Sequence, residues 1–255
     1  MNNSATTRRI SKIAIQYNGD DLGKAQLVGL NLLLGDDAEQ QFKEMKIVKQ
    51  RNRKIKQWAL TGYISPEKNI GDSLTNEELA DITIQSLRKI GVTELNQYRL
   101  DIHNSTKQKH IHFVVNRVDL NGKCTVKAHD IGKRFGEAVR SVCKEKGIKT
   151  DIEITAEKKE KMLNDLQLVL NTARNFVELE NKMRELGYWL KLSQNSKVGV
   201  SGMRVARIED LNPNTKRVYE PGYKLSELTN KLKIKHIKQI LNENERRKIT
   251  IRRVR

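Results

Sequence analysis

The chain has 255 residues and a formal net charge of +18, from 49 Lys and Arg against 31 Asp and Glu. No segment approaches the ~20 apolar residues of a membrane helix, and the start MNNSATTRR lacks the apolar core of a secretory signal. Two cysteines, Cys124 and Cys143, are too few for a disulfide framework, which indicates a reducing, cytoplasmic compartment. The charge favours a polyanionic partner, most often nucleic acid, over a membrane.

Apolar spacing and turn signals divide the first 150 residues into alternating strands and helices. The clearest helix start is Thr75, since Glu78 three residues later completes a capping box, and Gly91 ends that helix. Asp130 is expected to cap the last helix. The predicted elements are a strand over 10–17, a helix over 36–52, a strand over 57–64, the helix from Thr75 to Gly91, strands over 97–103, 109–118 and 123–127, and a helix from Asp130 to about 147.

These elements predict an α+β fold, in which a central antiparallel sheet carries helices on one face. We expect residues 1–150 to form one domain. Residues 151–255 read as a mainly helical, basic C-terminal region, which either binds DNA or packs on the first domain. Within it, helices are expected near 160–172 and 175–186, a β-rich stretch from Gly187, and a basic helix over 224–247.

Three of the five histidines lie within ten residues, at His103, His110 and His112. His110 and His112 share one face of a predicted strand, ~6.5 Å apart along it. Residues 104–109 are long enough to return the chain, which puts His103 beside them on the neighbouring strand. Three imidazoles on one face can hold a divalent cation with coordination positions left for catalysis, whereas a closed structural zinc site needs four ligands. Cys124 is a weak candidate for a fourth ligand.

A metal-assisted phosphodiester cleavage also needs a nucleophile that attacks in line, and a tyrosine hydroxyl suits a covalently held strand. The candidates are Tyr17, Tyr63 and Tyr98. Tyr63 and Tyr98 lie inside predicted strands, where aromatic packing is the usual role. Tyr17 stands before an Asn-Gly turn, and spacing alone favours a half-buried aromatic there.

The segment from His110 to Val118 (HIHFVVNRV), preceded by His103, resembles the three-histidine motif of the mobilisation relaxases of plasmids and transposons. These belong to the histidine–hydrophobe–histidine endonuclease superfamily. The strand LTGYISP at 60–66 and the capped helix at Thr75 resemble that family's central strand and helix, and AIQYN at 14–18 resembles its nucleophile segment. The resemblance covers about residues 10–150.

The resemblance implies an enzyme that nicks one DNA strand at an origin of transfer and forms a 5′-phosphotyrosine bond for conjugative mobilisation. Tyr17 would be the nucleophile, and His103, His110 and His112 would hold Mg²⁺ or Mn²⁺. Asn116 would orient a metal-bound water or a phosphate, and Asp101 would orient a metal-bound imidazole. The residue after His103 is Asn104, where some relatives carry an acid. The implied partners are single-stranded and duplex DNA, an accessory mobilisation protein and a coupling protein.

Basic residues are the candidates for phosphate contacts that give salt-dependent affinity. Arg8 and Arg9, taken to lie close to Tyr17, would grip the strand near the nick. Arg117 faces away from the histidines, so a structural ion pair is the expected role and a DNA contact is the alternative. Trp189, Tyr188 and Tyr223 are candidates for base stacking, although core packing is expected for at least two. The full set of DNA-contact candidates is Arg8, Arg9, Lys24, Arg51, Arg53, Lys54 and Arg117, with a further basic run over 231–255.

Two other functions compete with a relaxase. A non-catalytic DNA- or RNA-binding module would keep the sheet and use only charge, but it would not need three histidines. A replication-initiator nuclease of the same superfamily would share the chemistry, but its tyrosine typically follows the histidine motif, whereas Tyr17 precedes it.

Overall fold

A computed structural model describes residues 1–104, 108–211 and 221–253, apart from the side chains of residues 21 and 248–253. The chain divides into two compact units, Met1–Asp151 and Ile152–Arg255. None of the helices in these described ranges is long and apolar enough to cross a membrane.

The first unit is an α+β fold around one five-stranded antiparallel sheet of order β1-β3-β5-β4-β2. Its strands are β1 (Asn2–Arg8), β2 (Gln26–Asn31), β3 (Ala59–Ser65), β4 (Tyr98–His103) and β5 (His110–Asn116). Its helices are α1 (Lys12–Asn18), α2 (Ala38–Gln50), α3 (Lys68–Ser73), α4 (Asn76–Lys89) and α5 (Ile131–Glu145).

Helices cover both faces of this sheet, which corrects the expectation of helices on one face. On one face, Leu100, Ile111 and Phe113 pack with the apolar residues of α4 and α5. On the other face, Val114 packs with Ile15 of α1 and Met45 of α2. Both sides of β5 are therefore buried, except where the histidines stand.

The strongest local signals gave the correct elements. Thr75 and Glu78 form the capping box in full, with both reciprocal hydrogen bonds present. Gly91 ends the helix region at φ +108°, a conformation that only glycine adopts without strain. The charge run Glu157–Lys161, for which the sequence leaves a solvated helix start or a linker open, lies within the helix Asp151–Leu170.

The N-terminal prediction was wrong. Ile15 and Asn18 are buried at helical spacing in α1, and the strand lies earlier, in the polar lead-in that forms β1 at the sheet edge. The predicted strand over 123–127 is reduced to one bridge, between Val118 and Cys124. Asp130 precedes α5 at φ +48°, and no side-chain capping hydrogen bond forms there.

The second unit places helices against a three-stranded antiparallel sheet of order β6-β7-β8. Its core is apolar, with Leu166, Leu179 and Val205 fully buried. The strands are β6 (Tyr188–Asn195), β7 (Gly199–Arg207) and β8 (Tyr223–Lys224), and the helices are α6 (Asp151–Leu170), α7 (Phe176–Glu185), α8 (Leu225–Leu228) and α9 (Ile234–Arg253).

Candidate metal centre

Three imidazoles meet at one end of the first unit's sheet. His103 lies directly opposite His110, and His112 follows on the same face. The ring centroids are 4.5 to 5.0 Å apart, and one nitrogen from each ring lies within 4.8 Å of the others. The structure thus brings together the three histidines that the spacing predicted to converge, although residues 105–107 of the return loop lie outside the described part of the chain.

The donor set suits a divalent cation. Nitrogen atoms bound to one ion at about 2.1 Å lie at most about 4.2 Å apart, so only a small closure of the rings is needed. His103 is 5% exposed, while His110 and His112 are half-buried. The cluster is therefore buried on the side of His103 and accessible to a ligand on the side of His110 and His112.

The nucleophile segment is tied to this cluster through a backbone contact. The Nε2 atom of His103 lies 2.7 Å from the carbonyl oxygen of Asn18, the last residue of α1. When Nε2 carries the proton, it donates to this carbonyl, which orients the ring. Tyr17 directly precedes Asn18 and is 70% exposed. Tyr17 thus reaches the histidines from the end of a helix, and not from the end of a strand as predicted.

A second tyrosine also adjoins the cluster. Tyr63 on β3 lies directly opposite His112, with 6.1 Å between the two ring centroids. Tyr98 lies opposite Val115, three residues farther along β5 from His112. The structure therefore brings Tyr17 and Tyr63, but not Tyr98, to the histidine end of the sheet.

The Asp101 carboxylate is held by a residue that sequence reasoning missed. Arg99 donates three hydrogen bonds of 2.8 to 3.0 Å to its two oxygens. Asp101 is fully buried and the Arg99 side chain is 11% exposed. The guanidinium also occupies the space that a Cβ on Gly19 would take, at 2.6 Å. A buried ion pair thus lies beneath the end of α1, and the i, i+2 spacing on β4 was the only signal for it.

Asn116 is distant from the cluster. It is four residues from His112 on β5, about 13 Å along the strand. Its amide is buried, donates to the carbonyl of Met45 and to Gln97 Oε1, and accepts from the Val118 amide. These contacts give Asn116 a structural role, since they join the sheet to α2 far from the histidines.

Arg117 is buried, and among the described residues its hydrogen-bond partners are backbone carbonyls rather than the carboxylate of an ion pair. It is 5% exposed, and its guanidinium donates to the backbone carbonyls of Val126 and Gln57. Burial lowers the pKa of Arg117 from its ordinary value. Arg117 thereby joins the segment that follows β5 to the segment that precedes β3.

The remaining cations are exposed but occupy two ends of the sheet. Arg8 lies opposite Ala59, which lies opposite Asn116, so Arg8 and the following Arg9 are not beside the histidines. Lys24 is two residues before Gln26, which lies opposite Ile102 near the histidine end. Arg51, Arg53 and Lys54 precede β3 at the far end, where Arg51 donates to the Leu120 carbonyl.

Cys124, the candidate fourth ligand, lies elsewhere. It is bridged to Val118, beyond the Asn116 end of β5. Among the described residues the group that could hold a metal ion consists of the three histidines and does not include Cys124. The side chain of His129 is 90% exposed and contacts Asp130.

A buried antiparallel sheet with converging histidines and an adjoining exposed tyrosine is the arrangement of a DNA-acting nuclease. Residues 17–148, slightly more than half of the chain, match the family model described as relaxase, MobA/VirD2-like, nuclease domain. The chain belongs to this family, and its first unit is a relaxase nuclease domain that acts on DNA. No curated protein matches the chain, and no solved structure does. The second unit lies outside the matched residues.

Proposed function

We propose that the protein nicks one strand of DNA at an origin of transfer by transesterification, for conjugative mobilisation. The observation that carries this proposal is the convergence of His103, His110 and His112 beside the end of α1, one residue from Tyr17. A non-catalytic binding module would have no use for a three-imidazole cluster next to an exposed phenol.

In the proposed reaction, the Tyr17 oxygen attacks the scissile phosphorus. A bond forms between that oxygen and phosphorus, the bond to the 3′ oxygen breaks, and the phenol proton leaves to solvent or to a neighbouring base. The departing 3′ oxygen takes up a proton from solvent, so the products are a 5′-phosphotyrosine and a free 3′-hydroxyl. Because Tyr17 is largely exposed, its ring can turn towards a phosphate that is bound at the histidines.

His103, His110 and His112 are proposed to hold the cation. A bound divalent ion would polarise the phosphate and neutralise charge in the transition state. Mg²⁺ prefers oxygen ligands, whereas imidazole suits transition ions. We therefore expect tighter binding of Mn²⁺ than of Mg²⁺ to this all-nitrogen set.

The open side of the site offers a path for the substrate strand. On β1, Ser4 lies opposite Tyr63, and Ser4, Thr6 and Arg8 are exposed on the face that carries the histidines. Arg8 is four residues from Ser4, about 13 Å, so it would contact a phosphate other than the scissile one. Lys24 would contact the strand at the histidine end. Arg9, Arg51, Arg53 and Lys54 would serve only DNA farther from the nick.

The metal site is tested with a supercoiled plasmid that carries an origin of transfer, in Mn²⁺. We expect the double variant His110→Ala, His112→Ala to lose both Mn²⁺ binding, measured by calorimetry, and nicking. The matched control is His129→Ala, which removes an exposed histidine outside the cluster and should nick normally. Metal-dependent nicking by a folded double variant would overturn the assignment.

The partners belong to the same proposal. An accessory mobilisation protein and a coupling protein would bring the enzyme to its origin and deliver the nicked strand, as the family's role implies. Their contribution is tested by nicking with and without the products of the neighbouring mobilisation genes.

A further inference from the structure

The second unit carries a row of cations across its sheet. Arg204 on β7 lies directly opposite Lys191 on β6 and, on its other side, opposite Lys224 on β8. Arg204 also donates to the backbone carbonyls of Pro221 and Gly222, which fixes the guanidinium on the sheet. Like charges placed directly opposite each other cost stability, so such a row is typical of a surface that meets a polyanion.

The row lies on the outer face of the sheet. Side chains alternate between the two faces of a strand. Trp189 lies between Tyr188 and Leu190, which are both in the core of the unit. Trp189 therefore points to the outer face, as does Lys191 two residues later. Its ring is half-buried and lies opposite Ala206. Tyr188 is buried with its hydroxyl on Asp165, which leaves Trp189 as the stacking candidate on this face.

A cavity opens at the same surface. It has a volume of about 550 Å³ and is lined by Arg204, Lys224 and Lys233 together with the apolar side chains of Leu232 and Ile234. None of the described residues that line it is acidic. This volume is in the range of ligand sites, roughly 300–1,000 Å³. A cavity lined by both apolar and cationic side chains suits an unstacked base whose phosphates lie on the cations.

We propose that this outer face binds single-stranded DNA, with Lys191, Arg204 and Lys224 on phosphates, Trp189 stacked on one base and the cavity holding another. Single strands are bound by the combination of a cationic track and aromatic platforms. A duplex keeps its bases stacked inside and would leave a concave apolar cavity empty. The residues of this site belong to the second unit, whereas Tyr17 and the histidines belong to the first, so the proposal can be tested without cleavage.

The first test uses the full chain, EDTA and a fluorescein-labelled oligothymidylate of about 15 nucleotides, a length comparable to known single-strand sites. The variant Lys191→Gln, Lys224→Gln leaves Arg204 and its backbone contacts in place. Each single-strand phosphate contact contributes about 0.7 to the salt slope of binding, so we expect the slope to fall by about 1.4 in this variant.

The matched control is Lys161→Gln, Lys235→Gln, which removes two exposed helical cations that neither belong to the row nor line the cavity. Its slope should stay that of the unchanged protein. An equal fall of the salt slope in the two double variants would overturn the proposal, because positive charge anywhere on the unit would then be sufficient for binding. Tighter binding of a duplex of the same length would also overturn it.

The main measurement of the second test is made on the unchanged protein. Only two tryptophans are present, and Trp58 is 2% exposed in the first unit. Saturating oligothymidylate should therefore quench the Trp189 emission over a constant Trp58 background. Trp189→Leu should remove the quenching and weaken binding about 5- to 160-fold, the range of one base–aromatic stack. Unchanged emission of the natural protein at saturation would overturn the role of Trp189.

Discussion

The buried pair of Asp101 and Arg99 predicts a large loss of stability when one partner alone is neutralised. Asp101→Asn keeps the shape of the side chain but leaves the Arg99 guanidinium buried without a carboxylate. Asp101 has no exposed surface, and three hydrogen bonds of 2.8 to 3.0 Å join the pair. Breaking such a pair costs about 3–5 kcal/mol. We expect the free energy of unfolding of the first unit to fall by that amount.

The assay is urea denaturation in a Trp189→Phe background, where Trp58 is the remaining tryptophan and reports on the first unit alone. Asp81→Asn is the matched control, because the Asp81 carboxylate forms a 2.7 Å ion pair with Lys146 while half exposed, and such pairs contribute about 0–1 kcal/mol. A loss below about 1 kcal/mol for Asp101→Asn would refute the reasoning.

The double variant Asp101→Asn, Arg99→Met separates two roles of the carboxylate. Removing both charges should recover most of the stability, because no uncompensated buried charge remains. If Asp101 only neutralises the charge of Arg99, the double variant keeps the Mn²⁺ affinity of the unchanged protein. If instead it orients a metal-bound imidazole, the affinity falls about 10- to 100-fold even though the fold is restored.

Three further variants test separate parts of the fold. Burial and the hydrogen bond to Asp165 raise the pKa of Tyr188 to about 12. The contribution of Tyr188 to stability is therefore complete below pH 10 and is lost as the pH rises towards 12. Absorbance at 295 nm should show a late-titrating tyrosine that is missing in Tyr188→Phe. Thr75→Ala removes a capping box and should cost about 1 kcal/mol in urea denaturation, and no change would show that the box does not stabilise α4. Arg117→Met should lower the melting temperature of the first unit without weakening DNA binding, and weaker binding by a folded variant would restore Arg117 as a DNA contact.

Local patterns were sufficient to predict α4 and the histidine cluster. The capping box, the apolar spacing and Gly91 all lie within one segment, and the cluster needs only two neighbouring strands joined by a short return. The position of each histidine in the register follows from that hairpin alone. The tertiary contact from His103 to the carbonyl of Asn18 has no such local signal, because residues 85 apart in the chain meet there.

The errors arose where long-range pairing decides the structure. β1 is polar because one of its faces is exposed, and the strand exists through its pairing with β3. With β1 in that place, residues 12–18 form a helix that packs Ile15 onto Val114. Arg8 was expected beside Tyr17 on sequence distance, but the register moves it about 13 Å along the sheet from the histidine row. Sequence proximity was a poor guide to distance within an antiparallel sheet.

The identity of the residue that becomes linked to DNA tests the central claim most directly. After cleavage of an origin oligonucleotide in Mn²⁺, the protein is digested and the peptide that carries the nucleotide is sequenced by mass spectrometry. The account predicts that the 5′-phosphate is bonded to Tyr17, and that Tyr17→Phe forms no adduct while it still binds the oligonucleotide. An adduct on Tyr63, the other tyrosine beside the histidines, or cleavage with no adduct at all, would contradict it.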